Sequence, residues 1–147
     1  MEKEHLRNML MSSLEDMYNM EALACLVEFL QGEVHILQYL AMHQTEEINP
    51  SLLSDAIHVS RPRITTSLAT LCKKGLVEME PSQKDRRRVT VRISPAGLAF
   101  INEKRQVVDR YFDILLAGLG EETSLELVRL IQLCTDIMED KQVLKIL

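Results

Sequence analysis

The chain has 147 residues, of which 46% are hydrophobic and 27% charged, and its formal net charge is -5. This size and mixture predict one folded domain with a real core and exclude a disordered or fibrous protein. No apolar run reaches the roughly 18 residues that cross a bilayer, and residues 1–7 lack a signal-peptide pattern, so we expect a cytoplasmic protein without a membrane partner. The three cysteines lie far apart and form no CxxC pair, which disfavours a disulfide framework or a zinc site.

The charge is unevenly distributed along the chain. Residues 58–92 hold nine Lys and Arg against three Asp and Glu, a net charge of +6. The rest of the chain holds eight basic against nineteen acidic residues, a net charge of -11. A basic segment inside an acidic protein indicates contact with nucleic acid more clearly than the total charge does.

Helical periodicity dominates the first third of the chain. Apolar residues recur at helical spacing through residues 6–30, with a break expected at Asn19 or Gly32. A further helix is predicted from Gly32 to about His43.

Three later helices are predicted to begin with one shared pattern. In each, an apolar residue precedes a capping residue, and a proline follows in the first turn. The apolar residue is placed to contact a second one inside the helix, as in a hydrophobic staple. The expected capping residues are Asn49, Ser60 and Ser94.

A β-hairpin is predicted between the second and third of these helices. Residues 77–80 and 89–93 alternate apolar and polar side chains on either side of a polar segment. Across the hairpin, Glu78 and Glu80 are expected to pair with Arg88 and Arg92.

The last third of the chain predicts two helices. A near-heptad spacing from Pro95 predicts one helix of about five to six turns, which Gly118 and Gly120 should end. A final helix is expected to run to Leu144, before the apolar tail at 146–147.

Residues 50–57, a tight turn at 58–59 and residues 60–74 have the layout of a helix-turn-helix. In the second helix one apolar stripe should pack inward, namely Ile64, Leu68 and Leu71. The opposite face carries guanidinium and hydroxyl groups without an acid, and such groups bind base edges and phosphates in a major groove. We therefore expect DNA contacts from Ser60, Arg61, Arg63, Thr65, Thr66 and Thr70, and from Lys84, Arg86 and Arg87 in the hairpin loop.

Two segments resemble the MarR family of winged helix-turn-helix transcription regulators. The first is residues 53–60 followed by LCKKGLV at 71–77. The second, DRRRVTVRISPAG at 85–97, is similar to that family's wing signature of D-x-R, a strand, then L-T-x-x-G, with Ile93 and Ser94 replacing the usual Leu and Thr. The resemblance implies a mainly α fold with a small β-hairpin wing. It also implies that Asp85 braces the wing by pairing with an arginine, Arg87 at the matching position, and that residues 83–87 reach into the minor groove.

The resemblance further implies a homodimer in which the terminal helices of both chains interleave. Residues 1–31 and 117–147 would form the helical dimerisation region, 32–97 the DNA-binding domain and 98–116 a connecting helix. The apolar stripes at both ends of the sequence favour the same assembly. Two-fold symmetry would place two recognition helices about 34 Å apart on a pseudo-palindromic site in double-stranded DNA. We expect repression, because a dimer lying across a promoter blocks polymerase.

The signal to which the protein responds stays open at this point. A small-molecule effector is expected, and no cofactor. A metal is disfavoured, because none of the four histidines lies in the long helix from which zinc-sensing members of that family draw ligands. The five methionines among residues 1–20 suit either an effector cleft or a dimer seam. One alternative is redox sensing through Cys25, although its apolar and acidic neighbours disfavour the reactive thiolate. Another is a winged helix that binds protein; no catalytic motif suggests an enzyme.

Overall fold

The computed structural model describes residues 2–140 and 145. The chain divides into two compact units, Met1–Val108 and Asp109–Leu147. The described part is mainly α-helical with a single antiparallel hairpin, which confirms the predicted fold class. Within it, no helix has both the length and the apolar character needed to cross a membrane.

The elements follow one another as six helices and two strands within these residues. They are α1 (Lys3–Tyr18), α2 (Glu21–Phe29), α3 (Gly32–Met42), α4 (Pro50–Ile57), α5 (Arg61–Lys73), β1 (Val77–Pro81), β2 (Val89–Ile93) and α6 (Pro95–Glu139).

Two of the three predicted helix caps form, and the third does not. The Asn49 side chain accepts the Leu52 N–H at 2.8 Å, and the Ser94 hydroxyl accepts the Gly97 N–H at 3.0 Å. Ser60 occupies the N-cap position of α5, but its side chain makes no capping bond. In α5 the proline is the second helical residue rather than the first, so one of the two N–H groups that a cap normally binds is missing.

The end of α5 is a Schellman motif. Gly75 has φ 71°, a left-handed conformation that glycine adopts without strain. Its N–H donates to the Cys72 carbonyl at 3.0 Å, and the Leu76 N–H donates to the Leu71 carbonyl at 3.0 Å. This reversal turns the chain directly from α5 into β1.

The hairpin pairs β1 with β2 in the register Val77↔Ile93 to Pro81↔Val89. The Arg92 guanidinium lies 3.3 Å from the Glu80 carboxylate, so that predicted partner is confirmed. The prediction that Arg88 pairs with Glu78 or Glu80 is wrong. Arg88 precedes β2 in the loop, where its guanidinium lies 3.9 Å from Asp85.

One apolar core holds the helix-turn-helix against the hairpin. It takes residues from α3, α4, α5, both strands and the start of α6. Its most completely buried members are Ile36, Leu37, Ile48, Leu53, Ile64, Leu68, Leu71, Val91 and Ile101. Helix α1, by contrast, buries no residue in the described chain.

Helix α6 is interrupted at Gly120, whose φ of 75° and ψ of 168° are not helical. The break predicted at Gly118 does not occur, and the first part of α6 is longer than predicted, because Gly118 keeps helical geometry. The predicted end at Leu144 and the tail at 146–147 lie outside the described residues.

Candidate nucleic-acid interface

The outer face of α5 is fixed by the burial of its inner face. Ile64, Leu68 and Leu71 are at most 1% exposed, as the periodicity predicted. Because these three positions share one side of the helix, the side chains opposite them must face outward. Arg63, Thr65 and Thr66 are exposed and Thr70 is half-buried, whereas Arg61, one turn before Ile64, is exposed because it is the first residue of the helix.

The turn between α4 and α5 is also well defined. His58 adopts a left-handed conformation with φ 54°. The Ser54 hydroxyl donates to the Val59 carbonyl at 2.5 Å, and the Val59 N–H donates back to the Ser54 carbonyl at 3.2 Å. Ser54 is buried, so these bonds set the angle at which α5 leaves α4.

The three threonines of α5 donate their hydroxyl protons to their own helix. Each bonds the carbonyl four residues earlier: Thr65 to Arg61 at 3.0 Å, Thr66 to Pro62 at 3.0 Å and Thr70 to Thr66 at 3.2 Å. In this state each hydroxyl oxygen is available as an acceptor. Donation to a phosphate would require the hydroxyl proton to turn away from the helix carbonyl.

The loop between β1 and β2 exposes Lys84, Arg86 and Arg87 to solvent. Asp85 shapes this loop, because its Oδ1 accepts the Arg87 backbone N–H at 3.0 Å. The ion-pair partner implied by the resemblance was the Arg87 guanidinium, but the one near Asp85 belongs to Arg88. The Arg87 side chain is thus left pointing into solvent rather than bracing the loop.

Some cations of the basic segment 58–92 form ion pairs with acidic side chains, and others do not. Lys74 lies 2.8 Å from Glu33, Arg88 lies 3.9 Å from Asp85, and Arg92 lies 3.3 Å from Glu80. Lys84 is only loosely paired, with its Nζ 4.0 Å from Glu47. In the described part of the chain no acidic side chain pairs with Arg61, Arg63, Arg86 or Arg87. Four of the five cations predicted to contact DNA therefore have no ion-pair partner among residues 2–140 and 145.

A carboxylate at the base of the wing was missed by the sequence analysis. Glu47, in the segment between α3 and α4, accepts hydrogen bonds from the Ser82 hydroxyl and, at 3.0 Å, from the Thr90 hydroxyl. These two bonds, more than the nearby cations Lys84 and Arg92, lower the pKa of Glu47 from its ordinary value. The alternation places Thr90 on the polar face of the predicted strand together with Arg92, so the local pattern gave no signal of its burial. We call Glu47, Ser82 and Thr90 the Glu47 cluster.

Cys25 lies in a small cavity beside α6, which it lines together with Phe29 and Val108. Glu28 also lines the cavity, and its carboxylate forms an ion pair of 2.8 Å with Lys104. The thiol is half-buried and unbonded to another cysteine. Among residues 2–140 and 145, no three His, Cys, Asp or Glu side chains cluster as metal ligands.

Residues 30–88 match the sequence model of the MarR family. These residues include the helix-turn-helix and most of the hairpin, the part of the chain on which the proposed interface lies.

Solved structures share the fold over almost the whole chain. MepR, a transcription regulator of the Staphylococcus aureus multidrug efflux pump MepA, matches with a TM-score of 0.65 at 18% identity, over 93% of this chain and 99% of MepR. A MepR mutant bound to an oligodeoxyribonucleotide gives 0.58 at 18% identity, over 93% and 99%. The heme sensor PefR of Streptococcus agalactiae, in complex with heme, gives 0.62 at 20% identity, over 96% and 97%.

The sequence match, the wing signature and the observed helix-turn-helix with its hairpin agree. Residues 30–88 therefore form a winged helix-turn-helix segment that matches the MarR family model, within a fold that the chain shares with MepR and PefR.

Proposed function

We propose that the protein is a sequence-specific repressor that binds a pseudo-palindromic site in double-stranded DNA as a homodimer. Helix α5 would enter the major groove, and the loop of the wing would follow the adjacent minor groove. The observation that carries this proposal is a set of arginines with no acidic partner among the described residues, Arg61 and Arg63 on α5 and Arg86 and Arg87 in the wing.

Two cations of the same segment that were not predicted to contact DNA, Lys74 and Arg92, have carboxylates within 4 Å. Within the described residues, Lys73 is also without an ion pair, as the four arginines are, so the contrast concerns the arginines of the segment. An arginine already paired within the protein must give up that partner to bind a phosphate or a guanine. Arg61 and Arg63 break no ion pair of the described structure when they bind DNA, and the forked N–H donors of a guanidinium suit guanine O6 and N7.

The proposed DNA contacts extend beyond the arginines. Ser60 makes no capping bond, so its hydroxyl and the first N–H groups of α5 are available to a phosphate. Thr65, Thr66 and Thr70 present hydroxyl oxygens that can accept from the amino groups of adenine or cytosine. Lys84 completes the cationic set in the wing.

The proposal of a homodimer is supported by exposed apolar surface in the proposed dimerisation region, residues 1–31 and 117–147. In α1 the side chains of Leu6, Leu10 and Leu14 are about half exposed. In the second unit the residues after Gly120 expose a further apolar series, Leu125, Leu127, Val128, Leu130, Ile131, Leu133, Ile137 and Met138. Apolar surface on this scale is stabilised by a partner chain.

A small-molecule effector is part of the proposal, and its identity is open. The solved structure of PefR contains heme, which shows that a protein of this fold can hold a ligand. We do not propose redox sensing, because the Cys25 thiol is half-buried beside the apolar side chains of Phe29 and Val108 rather than open to solvent.

Selection of random duplexes with the purified protein will identify the preferred site and test the proposal. On that site we expect Arg63→Ala to lose about 1 to 3 kcal/mol of binding free energy and to relax the base preference at one position of each half-site. The measurement is a titration of labelled duplex with the wild-type protein and the variant.

Arg92→Ala is the matched control. It removes a guanidinium from the same basic segment, but one that is already paired with Glu80. We expect it to change the affinity little. Equal losses for both variants would mean that only the total charge matters, and failure to enrich any duplex would refute the proposal.

A further inference from the structure

The segment that carries Glu47 lies between α3 and α4 and is hydrogen-bonded to the wing. The Ile48 carbonyl accepts the Val91 N–H of β2 at 2.7 Å, and the Ile48 side chain is buried in the core. The next residue, Asn49, caps α4. The two residues that follow Glu47 are therefore fixed, one by the last strand of the wing and the other by the first helix of the helix-turn-helix.

Ser82 is the point at which the wing loop leaves β1. Its N–H donates to the Arg88 carbonyl at 2.9 Å, which closes the loop. Its hydroxyl oxygen lies 3.2 Å from the Lys84 N–H and 3.4 Å from the Asp85 N–H. A hydroxyl has one proton to donate and two lone pairs to accept with.

Because the Ser82 proton is donated to Glu47, the lone pairs of Ser82 are turned toward the loop. The Thr90 hydroxyl donates to the same carboxylate oxygen from the opposite strand. Both hydroxyl-bearing residues are buried, at 6% and 3% exposure, while the Glu47 carboxylate that accepts from them is open to solvent. One carboxylate thus fixes both strands at the base of the wing.

We propose that Glu47 is a positioning residue for DNA binding: its carboxylate holds Ser82 and Thr90 so that the loop presents Arg86 and Arg87 in one orientation. This inference rests on the proposed function, because it assumes that the wing binds DNA. Glu47 itself does not touch the duplex.

Charge alone predicts the opposite effect of removing Glu47. A carboxylate beside a cationic loop repels phosphates, so its removal should strengthen binding if electrostatics were its only influence. Positioning predicts weaker binding, because a loosened loop must be ordered when the complex forms. The sign of the change therefore separates the two interpretations.

The experiment compares Glu47→Ala, Glu47→Gln and Glu46→Ala in titrations of the selected duplex. Glu46 is the adjacent carboxylate, is exposed like Glu47 and lines the same surface groove. We expect Glu47→Ala to weaken binding at least about fivefold. Glu46→Ala should leave affinity unchanged or improve it. Glu47→Gln should recover most of the loss, because its amide oxygen can still accept both hydroxyl protons.

Three results would overturn the inference. One is a Glu47→Ala affinity equal to or above that of the wild-type protein. Another is a loss that Glu47→Gln does not recover. The third is an equal loss in Glu46→Ala, because then the local negative charge, and not the hydrogen bonds, would be responsible.

A readout without DNA keeps the inference separate from the proposed function. In the free protein, amide hydrogen exchange at Lys84 and Asp85 should be faster in Glu47→Ala than in the wild type, and Glu46→Ala should exchange like the wild type. The thermal midpoint of all three proteins shows whether a faster exchange reflects the loop alone or a less stable fold. If the wild-type protein binds no duplex, the proposed function fails regardless of Glu47. If it binds and exchange at the loop is unaltered in Glu47→Ala, the positioning role alone fails.

Discussion

At the scale of single residues, Gly97 decides how closely α6 approaches the turn between α5 and β1. A Cβ at this position would overlap the Leu76 carbonyl oxygen and lie 2.7 Å from Ile93 Cγ1. Ser94 fixes the start of α6 against this turn. Its hydroxyl donates to the Gly75 carbonyl at 2.6 Å, and its N–H donates to the Leu76 carbonyl at 3.0 Å. The glycine of the family's wing signature is thus required by backbone packing in this chain.

Replacement of this glycine should destabilise the fold. We expect Gly97→Ala to lower the free energy of unfolding by about 1 to 3 kcal/mol or more, because the obstructing atom is backbone and cannot rotate away. Urea denaturation measures the change. Gly118→Ala is the matched control, since nothing lies within 4 Å of its added Cβ in α6, and it should be neutral or stabilising by up to about 1 kcal/mol. A stable Gly97→Ala protein would contradict the packing described here.

At the scale of elements, ionisation of Glu47 adds to the stability of the fold. Its hydrogen bonds from Ser82 and Thr90 lower its pKa below the ordinary 4.5. A lowered pKa in the folded state means that ionisation stabilises the fold above the ordinary pKa. That contribution is lost as the pH falls through the lowered value. The charged groups facing Glu47 or lining the same groove are Lys84, Arg92, Glu46, Asp85 and Arg88.

The pH dependence of stability should therefore change when Glu47 cannot ionise. We expect the stability difference between the wild-type protein and Glu47→Gln to be constant above about pH 5 and to shrink as the pH falls below about 4.5. Denaturation series at about pH 3 to 6 measure it. Parallel curves for the two proteins would show that the carboxylate's ionisation does not stabilise the wing.

The elements also show what the sequence could predict. Helix α4 has the bounds that were predicted, and the hairpin differs by one residue, because caps, prolines and alternation are local signals. The free Ser60 hydroxyl and the pairing of Arg88 with Asp85 depend on turn geometry that a periodic pattern does not contain. Glu47 was missed because its partners lie 35 and 43 residues away in the chain.

At the scale of the whole molecule, the proposal requires two copies of the chain. The apolar residues of α1 are the clearest reason, since this helix buries no residue in the described structure. A monomer would expose them permanently, whereas a dimer would cover them and give the protein two DNA-reading helices.

A charge placed in this surface should weaken the dimer. We expect Leu10→Lys with Leu14→Lys to shift the protein toward monomers in sedimentation velocity, because lysine ammonium groups resist burial without a partner. Met42→Lys is the control, because Met42 is 66% exposed on α3, outside the proposed dimerisation region. A wild-type protein that sediments as a monomer would contradict the assembly.

The salt dependence of duplex binding tests the central claim most directly, namely that the arginines of α5 and the wing that lack acidic partners in the described structure bind DNA. For a dimer with at least three phosphate contacts per copy, we predict that log affinity falls against log salt with a slope of about -5, a loss of about a thousandfold between about 50 and 200 mM. Arg86→Ala with Arg87→Ala should make the slope shallower by about one unit per lost contact. A wild-type affinity that does not change with salt would contradict the account.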